Sequence, residues 1–154
     1  MRPMTDEEFA EWLPTMRDRY AEDMQENAGA NADKARAKAE ADIERLFPGG
    51  KRSEQQLVHV IEVEGQNAGV LWFTEREDEL TGPGLWIYEI RVDQAFRRQG
   101  VGREAMQFVE EEARRRGLSG VGLNVFGGNV AARSLYRSLG YEELAVFMRK
   151  PLAS

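Results

Sequence analysis

The chain has 154 residues, a formal net charge of −6 and a pI near 5.0, with 42% hydrophobic and 31% charged residues. That balance suits a soluble globular protein built around one core, and it argues against general nucleic-acid binding, which draws on basic surface. No cysteine is present and no apolar run approaches the roughly 18 residues that cross a bilayer, so disulfides, thiol nucleophiles, thiolate metal sites and membrane spans are excluded.

Thr5–Glu11 is acidic and lacks the basic-then-apolar layout of a secretory signal, so a cytoplasmic location is expected. Residues 1–50 carry 12 acidic and 7 basic side chains, a net of −5, which is most of the chain's excess charge. Two readings stand: a solvated helical surface, or an approach that favours a cationic substrate. Thr5-Asp6-Glu7-Glu8 has the form of a capping box, and Phe9, Trp12, Leu13, Met16, Tyr20 and Met24 follow at helical spacing. Pro14 is expected to kink or break this helix. After a turn at 27–31, Ala32 to Phe47 predicts a second helix with Ala35, Ala39, Ile43 and Leu46 on one stripe, ended by Pro48-Gly49-Gly50.

The period then changes from 3.6 to 2. Leu57 to Val63 predicts a strand, Glu64-Gly65-Gln66-Asn67 a hairpin turn, and Ala68 to Thr74 its partner. A polar loop over 75–84 leads to a strand from Trp86 to Val92. Gly100 to Arg116 predicts a helix with Val101, Ala105, Phe108, Val109 and Ala113 inward and Gly117 as its C-terminal cap. Val121 to Phe126 predicts a strand, Asn129 to Leu139 a helix capped by Asn129, and Glu142 to Lys150 a final strand. The order ααβββαβαβ implies a mixed α/β sheet domain spanning 1–154.

The segment joining the third strand of this group to the third helix carries the most chemistry. Arg97 and Arg98 precede Gly100-Val101-Gly102, and a helix begins there. A glycine loop lets backbone N–H groups approach an anion, and the helix dipole adds partial positive charge. Gly100 to Ala105 also fits the dinucleotide fingerprint G-x-G-x-x-A. Against that reading, Asp93 to Gln99 separate the strand from the first glycine, and the next strand ends without an acidic residue for a ribose. A Walker loop is excluded because no Gly-Lys-Ser/Thr follows.

Arg97-Arg98-Gln99-Gly100-Val101-Gly102 resembles the R/Q-x-x-G-x-G/A signature of the GNAT superfamily of acyl-CoA-dependent N-acetyltransferases. Asn129-Val130-Ala131-Ala132-Arg133-Ser134-Leu135-Tyr136-Arg137-Ser138-Leu139-Gly140-Tyr141 resembles that family's N-x-x-A-x-x-x-Y-x-x-x-G-F/Y helix, in the expected order and one helix and one strand later. The resemblance covers about Leu57 to Lys150 and is strongest from Trp86 onward, with residues 1–50 as two substrate-side helices. It implies a GNAT-like fold with a splayed central pair of strands, acetyl-CoA as the acyl-donor cosubstrate, no metal, and a dimer as a common assembly.

The resemblance also implies roles. The pyrophosphate of CoA would lie on the N–H groups of Gln99, Gly100, Val101, Gly102 and Arg103, with Arg97 or Arg98 adding charge-assisted bonds. The pantetheine arm would pair with the backbone of Ile90, Arg91 and Val92 like an added strand. Asn129 and Ala132 would lie at the cofactor. Tyr136 would protonate the departing thiolate as general acid. Glu89 is the candidate general base, in competition with Tyr88; strict alternation puts Glu89 on the face opposite Tyr88 and Ile90, and a bulge would re-aim either one. Some protein N-terminal acetyltransferases of the family carry L-E-V-x-x-x-N where this chain has Leu123-Asn124-Val125-Phe126-Gly127-Gly128-Asn129. Asn124 orients a substrate or water but accepts no proton as a base. His59 reads as structural, and Trp12, Tyr20, Trp72 and Trp86 as pocket lining or core.

The expected activity is direct acetyl transfer from acetyl-CoA to a primary amine in a ternary complex, the acceptor being a small cationic molecule. Transfer to protein lysines or N-termini, and a CoA-binding sensor without turnover, stand as alternatives, with a dinucleotide oxidoreductase more distant. No nucleic-acid or membrane partner is expected.

Overall fold

The capping box at Thr5 forms in full: the Glu8 N–H donates to Thr5 Oγ1, and the Thr5 N–H donates to the Glu8 carboxylate. It starts α1, which runs over Asp6–Ala28 in the computed structural model, where residues 1–153 are described. Pro14 does not break α1. It removes one backbone donor inside the helix, and the Thr15 hydroxyl donates to the Glu11 carbonyl at 3.2 Å on the next position. Gly29 closes α1 in the left-handed conformation, and Asn31 caps α2, Ala32–Leu46, by accepting from the Lys34 N–H.

A five-stranded sheet follows in the order β1 (Arg2–Pro3), β2 (Gln56–Val63), β3 (Gln66–Asp78), β4 (Gly82–Val92) and β5 (Gly120–Leu123). The pairs β1–β2, β2–β3 and β3–β4 are antiparallel; β4 and β5 are parallel. Between them the chain crosses through α3, Val101–Arg115, and α4, Val130–Ser138, follows β5. The expected 75–84 loop is shorter than its polarity suggests. Glu75, Arg76, Glu77 and Asp78 pair with Leu85, Gly84, Pro83 and Gly82; beyond buried Leu85 the strand tips are solvated and need no apolar alternation.

Alternation along β2 and β3 sorts the core into two layers. Val58, Val60, Val70 and Trp72 face α1 and α2, where they meet Phe9, Trp12, Met16, Ile43 and Phe47. Ile61, Leu71, Phe73, Leu85 and Ile87 face α3, packing on Ala105, Met106, Val109 and Ala113. The Trp12, Phe47 and Trp72 rings meet with centroids 5.2–5.9 Å apart, so Trp12 and Trp72 are core. His59 lies half-buried between the Phe73 and Phe108 rings, each 5.5 Å away, and burial holds its pKa below the ordinary value.

Two register shifts bend the central strands. One lies in the β2–β3 ladder, where Ile61 pairs with Gly69 and Glu62 with Asn67. The other lies in β4: Trp72 pairs with Glu89 and Phe73 with Ile87, so Tyr88 is the extra residue of a bulge. Gly69 opposes Val92 beside these distortions with φ +157°, and a Cβ there would sit 1.9 Å from the Arg91 carbonyl oxygen.

The final strand expected over Glu142–Lys150 is not formed: residues 142–153 run without regular structure and are exposed. Glu143 accepts from Arg133 and Arg137 of α4 at 2.7 Å each, which holds the chain's exit on that helix. The substitution Gly69→Ala should cost about 3 kcal/mol of stability, because its methyl group meets backbone that cannot rotate away. A fall in the urea midpoint with an unchanged slope checks this.

Candidate functional site

The parallel ladder between β4 and β5 covers four pairs, Gly84–Gly120 to Ile87–Leu123, and then ends. β4 continues to Val92 while β5 stops at Leu123 and the chain turns off through Asn124. A fork therefore opens beside Tyr88–Val92, on the side of β4 that faces away from β3. This is the splay the family resemblance implied. The expected strand Val121–Phe126 is cut short because Phe126 leaves the sheet and packs against Ala21, Met24, Ala35 and Ala39.

At the open end of the fork, a tight turn carries Arg97 and Arg98 into α3. Arg98 has φ +62° and Gly100 φ +79°, both left-handed. Gly100 occupies the N-cap position and offers no side chain to cap the helix. The first intrahelical bond here is donated by the Glu104 N–H to the Gly100 carbonyl, so the N–H groups of Val101, Gly102 and Arg103 find no acceptor in the helix. An uncapped helix start with a glycine approach accepts an anion.

The arginines divide in their commitments. Arg97 Nε donates to the Val92 carbonyl at 2.9 Å and so braces the loop against the end of β4. Arg103 Nη2 donates to Ser138 Oγ at 2.9 Å, tying α3 to α4. Among the described residues Arg98 has no carboxylate or hydrogen-bond partner, which leaves its guanidinium free beside the helix start. Gln99 Nε2 donates back to the Ala95 carbonyl at 3.2 Å. The Val101 side chain is core, and Gly102 sits under α4, where a Cβ would lie 3.3 Å from Leu135 Cδ2.

The bulge settles the facing of Tyr88 and Glu89. Tyr88 stacks on Trp72 with centroids 4.6 Å apart, on the α1–α2 face. Strict alternation would send Glu89 to the other face; instead Glu89 also faces α1, where Arg19 Nη2 donates to Glu89 Oε1 at 2.9 Å. Arg91 Nε lies 3.6 Å from the same oxygen, and the Arg91 guanidinium also pairs with Asp93. Ile90 and Val92 return to the α3 face as half-buried core. Burial raises the Glu89 pKa, against the lowering effects of Arg19 and Arg91, and Asp23 of α1 raises it further. Trp12 Nε1–H also favours the Glu89 carboxylate but lies outside hydrogen-bond geometry and is left buried without a partner.

On the far side of the fork, Asn129 Oδ1 accepts from the Ala132 N–H at 3.2 Å and starts α4, as its sequence position predicts. Tyr136 is half-buried about two turns later, 6.1 Å from the Tyr141 ring, and burial raises its pKa above 10. Asn124 is exposed past the end of β5. The fold thus gathers Tyr88, Glu89, Ile90, Arg91 and Val92 along one arm of the fork, the glycine loop at its mouth, and Asn129, Ala132 and Tyr136 on the helix that follows the other arm. Two shallow depressions, of about 410 and 460 Å³, lie elsewhere and include none of these residues.

Arg19 and Asp23 were not among the residues singled out in the sequence. A signal was present: they continue the Phe9–Trp12–Met16 stripe at helical spacing, and charges on a buried stripe mark a polar contact across the layer. The Acetyltransferase (GNAT) family model matches residues 8–141. YycN of Bacillus subtilis (strain 168), an uncharacterised N-acetyltransferase, is 26% identical over 153 residues, 99% of this chain and 97% of its own. The YycN crystal structure matches at TM-score 0.88 and 25% identity, covering 99% of this chain and 98% of that one. The ribosomal protein bS18-alanine N-acetyltransferase of Escherichia coli (strain K12) is 37% identical over 60 residues, 39% of this chain and 40% of its own. AAC(6')-Iy, in complex with the bisubstrate analogue CoA-S-monomethyl-acetylneamine, has the same fold at TM-score 0.60 and 19% identity, over 98% of this chain and 97% of that one.

Replacing Arg19 with leucine removes a group that lowers the Glu89 pKa, so that pKa should rise further. A ¹³C-carboxyl NMR titration of the two proteins checks the direction; a fall would mean that Arg19 does not act on Glu89 as a charge.

Proposed function

The chain belongs to the acetyltransferase (GNAT) family and is an acyl-CoA-dependent N-acetyltransferase; within that activity, we propose that it moves acetyl from acetyl-CoA directly to the primary amine of a small cationic molecule. The observation that carries this reading is the fork between β4 and β5. It has an uncapped helix start at its mouth, a desolvated carboxylate on one face and a half-buried tyrosine on the helix that follows.

In this reading the Val101, Gly102 and Arg103 N–H groups and the free Arg98 guanidinium hold the pyrophosphate, and the β4 backbone beyond Ile87 aligns the pantetheine as an added strand. Of the two arginines named for the phosphates, Arg97 already has a bond of its own. Its bond to the Val92 carbonyl makes it a brace for the loop, and it occupies an acceptor that would otherwise meet pantetheine.

Glu89 serves as general base. Its raised pKa makes the carboxylate a better proton acceptor, while Arg19 keeps enough of it ionised to act. Tyr88, stacked on Trp72, shapes the same face. The neutral amine attacks the thioester carbonyl carbon, the C–S bond breaks, and Tyr136 gives its hydroxyl proton to the departing sulfur. Burial keeps that hydroxyl protonated across the physiological range, so the donor is loaded at every turnover. No covalent enzyme intermediate is needed, since holding the two reactants together supplies the advantage.

The acceptor class rests on charge. Asp23, whose pKa is raised by burial and by Glu26 and Glu22, lies within electrostatic reach of Glu89, with Arg19 as the opposing cation on that wall. Such a wall attracts an ammonium group and lowers the free energy of its approach. The aminoglycoside-derived analogue bound by AAC(6')-Iy is a ligand of this kind. The partial likeness to the bS18-alanine enzyme favours a second reading, transfer to a protein N-terminus. Asn124, in place of the glutamate of the L-E-V pattern, weighs against it.

The deciding experiment is acetylation of a panel of polyamines, aminoglycosides, amino acids and alanine-ended peptides, with products read by mass spectrometry. Turnover confined to small polycations supports the proposal, and turnover confined to peptides supports the second reading. Tight CoA binding without turnover would make the chain a sensor.

Tyr136→Phe should lower kcat about 100-fold with KM for acetyl-CoA nearly unchanged. Arg98→Ala should weaken acetyl-CoA binding about tenfold, the worth of one charge-assisted bond, with little change in kcat. Steady-state kinetics separate the two. In the pH profile the acid limb follows Glu89 above its ordinary 4.5, and it moves to higher pH in Arg19→Leu.

A further inference from the structure

α1 crosses the fork from one arm to the other. Arg19 Nη2 of that helix donates to Glu89 Oε1 of β4 at 2.9 Å. About two turns later, Asn27 Oδ1 lies against the loop that follows β5, 3.2 Å from where a Cβ on Gly128 would sit. The Phe126 ring of the same segment joins the cluster of Ala21 and Met24. Eight residues of helix rise about 12 Å, so this stretch of α1 bridges the gap between the parted strands. Arg19, Asp23 and Asn27 follow one another at i, i+4 and i+8 and share one face. Both ends of that line touch an arm of the fork, so Asp23, at its middle, faces the open space between them.

Charge is spread unevenly along this line. Arg19 and Arg91 both approach Glu89 Oε1, at 2.9 and 3.6 Å, and Arg91 also pairs with Asp93. Two guanidinium groups therefore balance two carboxylates, and this quartet carries no net charge. A further donor, the Trp12 Nε1–H, is buried beside the Glu89 carboxylate without a partner, on a side chain only 6% exposed. Asp23 is the opposite case. Among the described residues no cation pairs with its carboxylate, although Arg19 stands one turn away, because that guanidinium is spent on Glu89. The neighbours that act on Asp23 through charge are Glu26 and Glu22, which add to the negative field, and Arg19, which opposes them.

The two carboxylates suit two different nitrogens. The amine that attacks a thioester is neutral, and a charge-balanced carboxylate takes up its proton without first holding it as a cation. A nitrogen that stays protonated needs an unbalanced carboxylate, and Asp23 supplies one. We propose that Asp23 determines acceptor specificity by holding the distal ammonium of a diamine or polyamine, while the near amine reacts beside Glu89. Asp23 stands about 6 Å along the helix axis from Arg19, so a short flexible chain separates the two nitrogens. This inference rests on the proposed transfer to a small cationic acceptor and narrows that acceptor to one with two positive charges.

The test is steady-state kinetics of the full chain with acetyl-CoA and a series of α,ω-diaminoalkanes, each paired with the monoalkylamine of the same length. Wild type should show kcat/KM about tenfold higher for the best diamine than for its monoamine, the worth of one charge-assisted bond, carried mainly by KM. That ratio should fall to near one in Asp23→Asn. It should return in Asp23→Glu, with the optimum moved to a shorter diamine. Asp23 is exposed and carries no side-chain bond, so its replacement spares the fold. Equal values for diamines and monoamines in wild type overturn the proposal, and so does a ratio that persists in Asp23→Asn; in both cases turnover of small amines leaves the acceptor class standing. A uniform fall in kcat on every amine, with the ratio kept, would make Asp23 a residue of the scaffold and also overturns it. Turnover confined to alanine-ended peptides overturns the acceptor reading itself, and this inference with it.

Discussion

β4 and β5 pair through only four residues each, Gly84–Ile87 against Gly120–Leu123, and then part. Most of what this chain can do follows from that short ladder. While paired, the two strands fix the position of α3, which crosses between them and lays Val101, Ala105, Met106 and Val109 on the sheet. Once separated, they leave one side of β4 without a neighbouring strand and let the start of α3 face the gap. A longer ladder would bring β5 alongside Tyr88–Val92 and close the fork. The parting is held by packing: Phe126 is drawn away to the α1–α2 layer, and Arg97 secures the end of β4 from the loop side.

The bulge at Tyr88 is the second constraint, and it acts on chemistry rather than on shape. One extra residue puts two successive side chains on the same face. Tyr88 and Glu89 therefore both look toward α1, and Glu89 meets Arg19 instead of the apolar core under α3. A carboxylate placed in that core without a partner would shift to its neutral form, at a cost of several kcal/mol. Here burial and ion pairing oppose each other at one group, and burial is the larger, so the Glu89 pKa lies above its ordinary value.

Local features were well legible in the residues. The capping box at Thr5, the Asn31 and Asn129 caps, the stripe on α2 and the apolar run of β3 each depend on groups a few positions apart, and each formed close to where it was expected. The glycine loop and the Asn129–Tyr136 helix identified the family for the same reason, since their chemistry is carried by contiguous residues. Less legible were the ends of β3, β4 and β5. There, pairing extended into polar residues or stopped short of apolar ones, according to what lay across the sheet.

The sequence by itself determined the four helices, the three central strands and the glycine-loop and Asn129–Tyr136 motifs that mark the family, because helix and turn chemistry is short-range; the short strand Arg2–Pro3 left no local signal, and the strand expected at the end does not form. Only the tertiary structure decided which face Glu89 takes and that Arg19, 70 positions earlier, would be its partner. It also decided that Arg97 braces the loop while Arg98 is free, and that the expected last strand finds no partner within its own chain. These outcomes turn on register and on contacts between distant segments. A one-residue shift in pairing reverses a side chain's facing without leaving a mark in the local pattern.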